Sequence, residues 1–267
     1  MKTIKIQCPA KINLDLKVLN KREDGFHNIE SVMQTIDLYD YLTIDIEKSI
    51  ENKIVLSGTS DEIPYDEHNL VYKAAKLFLD EIKPEPVSIN IYIEKHIPIA
   101  AGLAGGSTDA TGALYGLNKL FGNVLSESEL HRLCAKLGSD LNVCLMGGRL
   151  QTSGRGENVR ALPFEEFGVN LIKPILLGIS AKEAYTKFAY KFANNIDIDT
   201  RKDFKNDLEW AILNDYKELQ NIKQKYPYSM MTGSGSTYFS LIEEFCPEEG
   251  YWVKNGLKSV SFGVKEV

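Results

Sequence analysis

Apolar and polar positions alternate near the start of the chain. Ile12, Leu14, Leu16 and Val18 share one parity, and Lys11, Asn13, Asp15 and Lys17 the other. A period of two is the mark of a strand with one covered face. It predicts Lys11 and Asn13 side by side, pointing away from the core. Asp24-Gly25 breaks the run as a turn, and strand character resumes near residues 32–36 and 42–46. After Asp66 the period lengthens, and Leu70, Ala74, Leu77 and Phe78 fall on one side of a helix. Val87, Ile89, Ile91 and Ile93 restore the alternation. A glycine-rich stretch then opens a helix carrying Ala110, Ala113, Leu114, Leu117 and Phe121. Ser126 with Glu129 predicts a capping box for a further helix through Leu130, Leu133 and Leu137, stopped by Gly138. Beyond it the pattern predicts helices near 181–192 and 207–225, and strands near 238–242 and 260–264. Pro163 and the acidic Glu165-Glu166 predict a boundary near residue 160. The expected organisation is an α+β chain with an N-terminal unit of residues 1–160 and a C-terminal unit of 161–267.

Composition narrows the function classes. With 267 residues, 43% of them hydrophobic and 25% charged, the chain can bury a core without disulfide or metal. The longest apolar runs, around 97–104 and 174–179, are far below the ~18 residues of a membrane span. Lys2, Lys5 and Lys11 interrupt any apolar leader, so a cytoplasmic protein with no membrane partner is expected. A net charge of −6, from 31 basic against 37 acidic residues, argues against a general nucleic-acid binder. It leaves room for an anionic small molecule held by a few local donors. Cys8, Cys134, Cys144 and Cys246 form no C-x-x-C and read as reduced thiols. His27, His68, His96 and His131 are scattered, and no metal-ligand spacing or oligomer signal is legible.

Three segments carry chemistry. The first is Pro98-Ile99-Ala100-Ala101-Gly102-Leu103-Ala104-Gly105-Gly106-Ser107-Thr108-Asp109, between a strand and a helix. Its glycines allow close backbone approach, and a helix N-terminus favours an anion. It is neither a Walker A nor a dinucleotide fingerprint, and a plain strand–helix turn is equally compatible with it. The second is Gly138-Ser139-Asp140-Leu141-Asn142, followed by Gly147-Gly148. Asp140 there is a general base or a helix N-cap, and taken alone the cap fits better. The third, Met231-Thr232-Gly233-Ser234-Gly235-Ser236-Thr237, is an amide nest for phosphate or an ordinary hairpin entry. Taken together with Lys11, they make the parts of a phosphoryl transferase without Walker A.

In that order the three segments resemble the motifs of the GHMP kinase superfamily of small-molecule kinases. Pro9-Ala-Lys11-Ile-Asn13-Leu, followed by Lys21-Arg-Glu-Asp-Gly25-Phe26-His27, resembles one branch of it. That branch phosphorylates the 2-hydroxyl of 4-diphosphocytidyl-2-C-methylerythritol in the non-mevalonate isoprenoid route. Gly154-Arg155-Gly156-Glu157 and Asn206-Asp207-Leu208-Glu209 also stand in the expected order. The resemblance implies a domain like the second domain of ribosomal protein S5, followed by a ferredoxin-like domain, with the site between them. It implies ATP, with Mg2+ carried on the nucleotide, and a small-molecule alcohol as partner. By resemblance Asp140 is the base and Lys11 its partner. Residues Pro98 to Thr108 hold ATP, with Asn69 and Lys95 near adenine. Asn13 holds erythritol hydroxyls, Phe26 and Tyr185 stack cytosine, and His27 reads the edge of the base. Phe26 and Tyr185 as plain core aromatics are the alternative. The chain departs from the branch's pattern at Asn142, where Pro is expected, at Ala101 and Ala104, at Phe26 for the commoner Tyr, and in a short C-terminal domain. Rival expectations are another small-molecule GHMP kinase and a non-catalytic nucleotide-binding module. A binder has no use for Lys11 beside Asp140.

Overall fold

A computed structural model describes all 267 residues. Its first half is built on β1 (Lys2–Asn13), β2 (Lys17–Lys21), β3 (His27–Lys48), β4 (Lys53–Gly58), α1 (Leu70–Ile82) and β5 (Val87–Glu94). It continues through α2 (Gly105–Leu120), α3 (Glu127–Leu137), α4 (Leu141–Met146), β6 (Arg149–Ser153) and β7 (Asn158–Ala161). The central path of its sheet runs β12-β1-β3-β5-β4, where β12 (Lys265–Glu266) is the last strand of the chain. β2 and β6 also pair with β3, and β7 pairs with β6. α2 packs its small face on this sheet: a Cβ at Gly112 or Gly116 would press on Cys8 or Ile44. The capping box of Ser126 and Glu129 is present at the head of α3.

The second half has its own sheet, β11-β8-β10-β9. Its strands and helices are β8 (Gly168–Pro174), α5 (Ala181–Ala193), α6 (Asp207–Ile212), α7 (Lys217–Lys225), β9 (Met230–Met231), β10 (Tyr238–Ser240) and β11 (Tyr251–Lys258). β8 serves two cores. Val169 and Leu171 pack with Ala10, Ile12 and Ile36 between the halves, whereas Ile172 packs with Trp210 and Phe188 under the helices.

Four expectations change. The strands expected at 32–36 and 42–46 are one strand, β3. Ile36, Leu38, Asp40 and Leu42 share the buried parity, and the charged Asp40 interrupts the apolar pattern without interrupting the strand. The alternation from Ile12 to Val18 is not one strand, because β1 ends at Asn13 and Leu16 bridges across to Asn206. The helix expected over 207–225 is broken into α6 and α7, with Tyr216 extended between them. Residues 260–264 are not a strand. They touch the first half through Val260 N–H to Thr35 O and Val264 N–H to Cys144 O. The strand is β11, a half-exposed edge whose sequence carries no clean alternation.

Candidate active site

A cavity of about 1140 Å³ lies between the halves, lined by residues of all three motifs. Of the 19 residues singled out from sequence, 17 line it. Leu103 and Thr108 do not. Leu103 is 1% exposed in the core between the halves, and only its carbonyl works locally, accepting the Lys11 N–H at 3.1 Å. Thr108 is fully buried, so its hydroxyl is not offered to a ligand.

The glycine-rich loop delivers the N-terminus of α2 to the cavity. The first turn of a helix leaves its N–H groups without helical partners, which suits an anion. Gly102 is left-handed, with φ of 73°, and a Cβ there would collide with the Thr232 carbonyl. Its absence lets the first motif meet the third. Ala104 holds φ of 61° without a side-chain cap, a strain on the order of 1 kcal/mol that a glycine would avoid. Gly105 and Gly106 differ in what they face. A Cβ on Gly105 would meet Ile97 at 3.1 Å and Lys95 Nζ at 3.2 Å, beneath the loop, whereas one on Gly106 meets nothing within 4 Å. Gly106 thus opens freely toward the cavity, whereas Gly105 lines it over a tight contact with Ile97 and Lys95.

Lys11 reaches the cavity from β1 but is only 2% exposed, buried by the opposing half. Its ammonium donates to Asn13 Oδ1 at 2.8 Å and Gly102 O at 3.0 Å, and lies 3.4 Å from Asp140 Oδ2. Asn13 donates its amide to Ser31 Oγ, and its backbone N–H goes to Thr232 Oγ1 at 2.9 Å. The alternation located this pair but not its burial, because the cover comes from residues some 220 positions away. Asp140 occupies the N-cap position of α4 yet makes no side-chain capping bond. Its carboxylate, 28% exposed, faces Lys11 and the cavity instead. Asn142 ties the start of α4 to its surroundings: its Oδ1 lies 3.0 Å from His131 Nδ1, and its Nδ2 donates to Glu157 O at 2.8 Å.

The opposite wall is aromatic. Phe26 is 53% exposed, with the Arg155 guanidinium 5.1 Å from its ring centre. His27 stacks on Tyr185 with ring centres 5.5 Å apart and planes 15° apart. A base between those two rings needs a separation of roughly 7 Å, twice a stacking distance. The faces available for stacking are therefore that of Phe26 and the outer face of Tyr185. Burial and the Lys21 charge lower the His27 pKa, which favours a neutral imidazole able to donate and accept.

Asn69 and Lys95 reach the cavity with their polar atoms already engaged. Asn69 caps α1 through Val71 N–H and donates to Pro64 O at 2.6 Å. Lys95 pairs with Asp40 and, at 2.7 Å, with Asp109. Thr232, Arg155 and Asp40 were not named as site residues from sequence. The first two lie inside motifs visible in the sequence, whereas Asp40 gives no local signal beyond a charge on a buried parity.

The family described as GHMP kinases N terminal domain matches residues 69–148. A 4-diphosphocytidyl-2-C-methyl-D-erythritol kinase of Clostridium perfringens (strain ATCC 13124) is 40% identical over 261 residues, 90% of this chain and 89% of its own length. One from Clostridioides difficile (strain 630) is 38% identical over 265 residues, 91% of this chain and 88% of its own. A crystal structure of 4-(cytidine 5'-diphospho)-2C-methyl-D-erythritol kinase superposes with a TM-score of 0.71 at 25% identity, covering 96% of this chain and 100% of that one. A homoserine kinase from Cytophaga hutchinsonii, at 17% identity and a TM-score of 0.72 over 100% of this chain and 98% of that one, shares the fold alone.

Proposed function

The chain belongs to the 4-diphosphocytidyl-2-C-methyl-D-erythritol kinases, a GHMP kinase family, and on that premise we propose that it transfers the γ-phosphoryl of ATP to the 2-hydroxyl of 4-diphosphocytidyl-2-C-methyl-D-erythritol. The observation that carries the reading is Lys11 Nζ 3.4 Å from a carboxylate that caps no helix. An alcohol holds its proton far above neutral pH, so attack needs a base as the new bond forms. Asp140 takes that proton. Lys11, locked by Asn13 and Gly102, orients the carboxylate and balances charge on the attacking oxygen and the transferred group. The amides at the head of α2 and the Gly106 opening hold the phosphates. Mg2+ arrives as part of the MgATP substrate. Asn13 meets the erythritol hydroxyls, Phe26 and the outer face of Tyr185 take the cytosine, and His27 reads its edge.

In this reading residues 1–160 form the ATP-binding unit and 161–267 the second unit, whose last strand, β12, returns to pair with β1 in the first. The protein works in the cytoplasm; no helix is long and apolar enough to cross a membrane. The test is ADP release with the diphosphocytidyl substrate, with mevalonate and homoserine as controls. Turnover of the first alone supports the reading. Equal turnover of a substrate lacking the cytidyl group sinks it and leaves a different GHMP kinase.

A further inference from the structure

Beneath the phosphate loop lies a buried ionic cluster that the proposed transfer step does not use. Asp40, from the middle of β3, is fully buried. Its Oδ1 accepts the N–H groups of His96 at 2.5 Å and Ile97 at 2.8 Å, where the chain leaves β5 for the loop. Its Oδ2 meets Lys95 Nζ. The same ammonium donates at 2.7 Å to Asp109 Oδ2, in the second turn of α2, where the loop ends. Both ends of the loop are thus tied to one cation. Two carboxylates share that cation, so the cluster carries a net −1 when both are ionised. Asp109 is 2% exposed, and its Oδ1 is buried without a partner. Lys95 and Asp109 line the cavity floor, and the Gly105 backbone lies directly over Lys95.

We infer that Asp109, held with Asp40 on Lys95, is a positioning residue that takes up a proton when the polyphosphate of the nucleotide binds. The inference rests on the ATP-site reading above. A polyphosphate on the N-terminus of α2 adds negative charge above the cluster and so raises the cost of keeping Asp109 ionised. Protonating Asp109 makes the cluster neutral and keeps the Lys95 tie to both ends of the loop. The proton comes from solvent. The ionisable groups facing Asp109 are Lys95, Asp40 and, from β1, the Cys8 thiol, whose titration is pushed up first by burial and then by Asp109 and Asp40. Burial pushes the Asp109 carboxyl up to about 8, with Lys95 pulling it down and Asp40 pushing it up. The nucleotide-bound state therefore holds more protons than the free state, and nucleotide affinity falls as pH rises through that range.

Calorimetric titration with ADP in excess Mg2+, repeated in two buffers of different ionisation enthalpy, counts the proton. Wild type is expected to take up on the order of half a proton at pH 8 and almost none at pH 6, where Asp109 already carries one. The KM for ATP should rise above pH 8 while kcat does not follow it. Asp109→Asn keeps the shape with nothing to titrate, so the uptake vanishes and ADP affinity becomes flat between pH 7 and 9. Asp40→Asn leaves Asp109 alone with Lys95, and the uptake at pH 8 vanishes there too. Wild type that binds ADP at pH 8 without proton uptake overturns the inference, as does an Asp109→Asn protein that retains it. A wild type that binds no ADP at any pH overturns the ATP-site reading, and this inference with it.

Discussion

Asp140→Asn exchanges one carboxylate oxygen for NH2, keeps the shape and removes the charge that faces Lys11. The Asp140 side chain is 28% exposed, and its ionic partner is Lys11 at 3.4 Å. One member is partly exposed and the other buried, so the loss of the pair falls between the ~0–1 kcal/mol of a surface pair and the ~3–5 kcal/mol of a buried pair that loses a partner. Lys11 keeps Asn13 Oδ1 and Gly102 O as acceptors, and α4 loses no capping bond because none exists. At about 2–4 °C per kcal/mol lost, the melting temperature should fall by several degrees without the fold being lost. Turnover should behave otherwise. Removing a general base slows a reaction by roughly 10²–10⁴-fold, or about 2.7–5.5 kcal/mol of transition-state stabilisation. The expected result is a kcat down by that factor, KM for both substrates within a few fold of wild type, and a melt lowered by several degrees but still cooperative. Lys11→Met is a poorer probe. The Thr232 hydroxyl can serve only one of Asn13 Oδ1 and Gly102 O, so the other is left without a buried donor at about 1–3 kcal/mol, and fold and rate fall together. The assay is steady-state ADP release over a matrix of both substrates, paired with thermal melts. An Asp140→Asn enzyme that turns over within threefold of wild type would refute the reasoning and return Asp140 to a structural role at the head of α4.

Phe26→Ala should weaken the diphosphocytidyl substrate by roughly tenfold, the worth of one stacked ring, with ATP KM unchanged and Phe26→Tyr tolerated; equal CDP competition in wild type and Phe26→Ala would contradict it. Tyr185→Ala should do the same and also free His27, whose ring stacks on it. Gly106→Val projects into open cavity and should raise ATP KM at least about tenfold without lowering the melt. Gly105→Val must displace Lys95 or Ile97 and should lower the melt, so a stable Gly105→Val protein would argue against the packing just described. Thr232→Val leaves the Asn13 N–H without its acceptor and should cost about 1–3 kcal/mol in denaturant titrations, with a loss of kcat as Lys11 loosens.

Much of this site is legible because its chemistry is local. The α2 loop, the Asp140 turn and the Thr232 loop each announce themselves by glycines and small polar residues within a dozen positions. Parity alone singles out Lys11 and Asn13. What parity misses is that a polar strand face can be buried by the second half of the chain, which turns Lys11 from a solvated lysine into one that is 2% exposed. Asp40 fails to announce itself for a related reason. Its partners, Lys95 and Asp109, lie 55 and 69 positions away, so in sequence it reads only as a break in an apolar run. Gly105 carries a second constraint that the sequence does not show. Glycine there suggests approach to a ligand, and it lines the cavity, but a Cβ would also be tight against Lys95 and Ile97 below. Residues 14–18 mislead because their alternation serves two different cores, with Ile12 packed between the halves and Leu16 and Val18 packed under the helices of the second.

That handover between cores bears on catalysis. Just past Lys11 and Asn13 the chain leaves the first sheet and becomes a strap to the second half. Leu16 N–H goes to Lys205 O, Asp207 N–H returns to Leu16 O, and Val18 N–H donates to Asp207 Oδ2 at 2.7 Å. Arg201 holds both oxygens of the buried Asp207. The neighbouring Asn206 donates to Met231 O and Gly233 O, which sets the third loop against Gly102 and Lys11. The base, the phosphate loop and the lysine all belong to the first half. The lysine's own contacts, to Asn13, Gly102 and the proposed base, lie there too, and the second half backs two of them: Thr232 Oγ1 accepts the Asn13 N–H and donates to Gly102 O at 3.3 Å. A buried network satisfied at every member is stiff, and removing one member exposes the others to the full desolvation penalty. The second half is therefore part of the machinery that fixes the Lys11–Asp140 distance, as well as a wall of the substrate cavity.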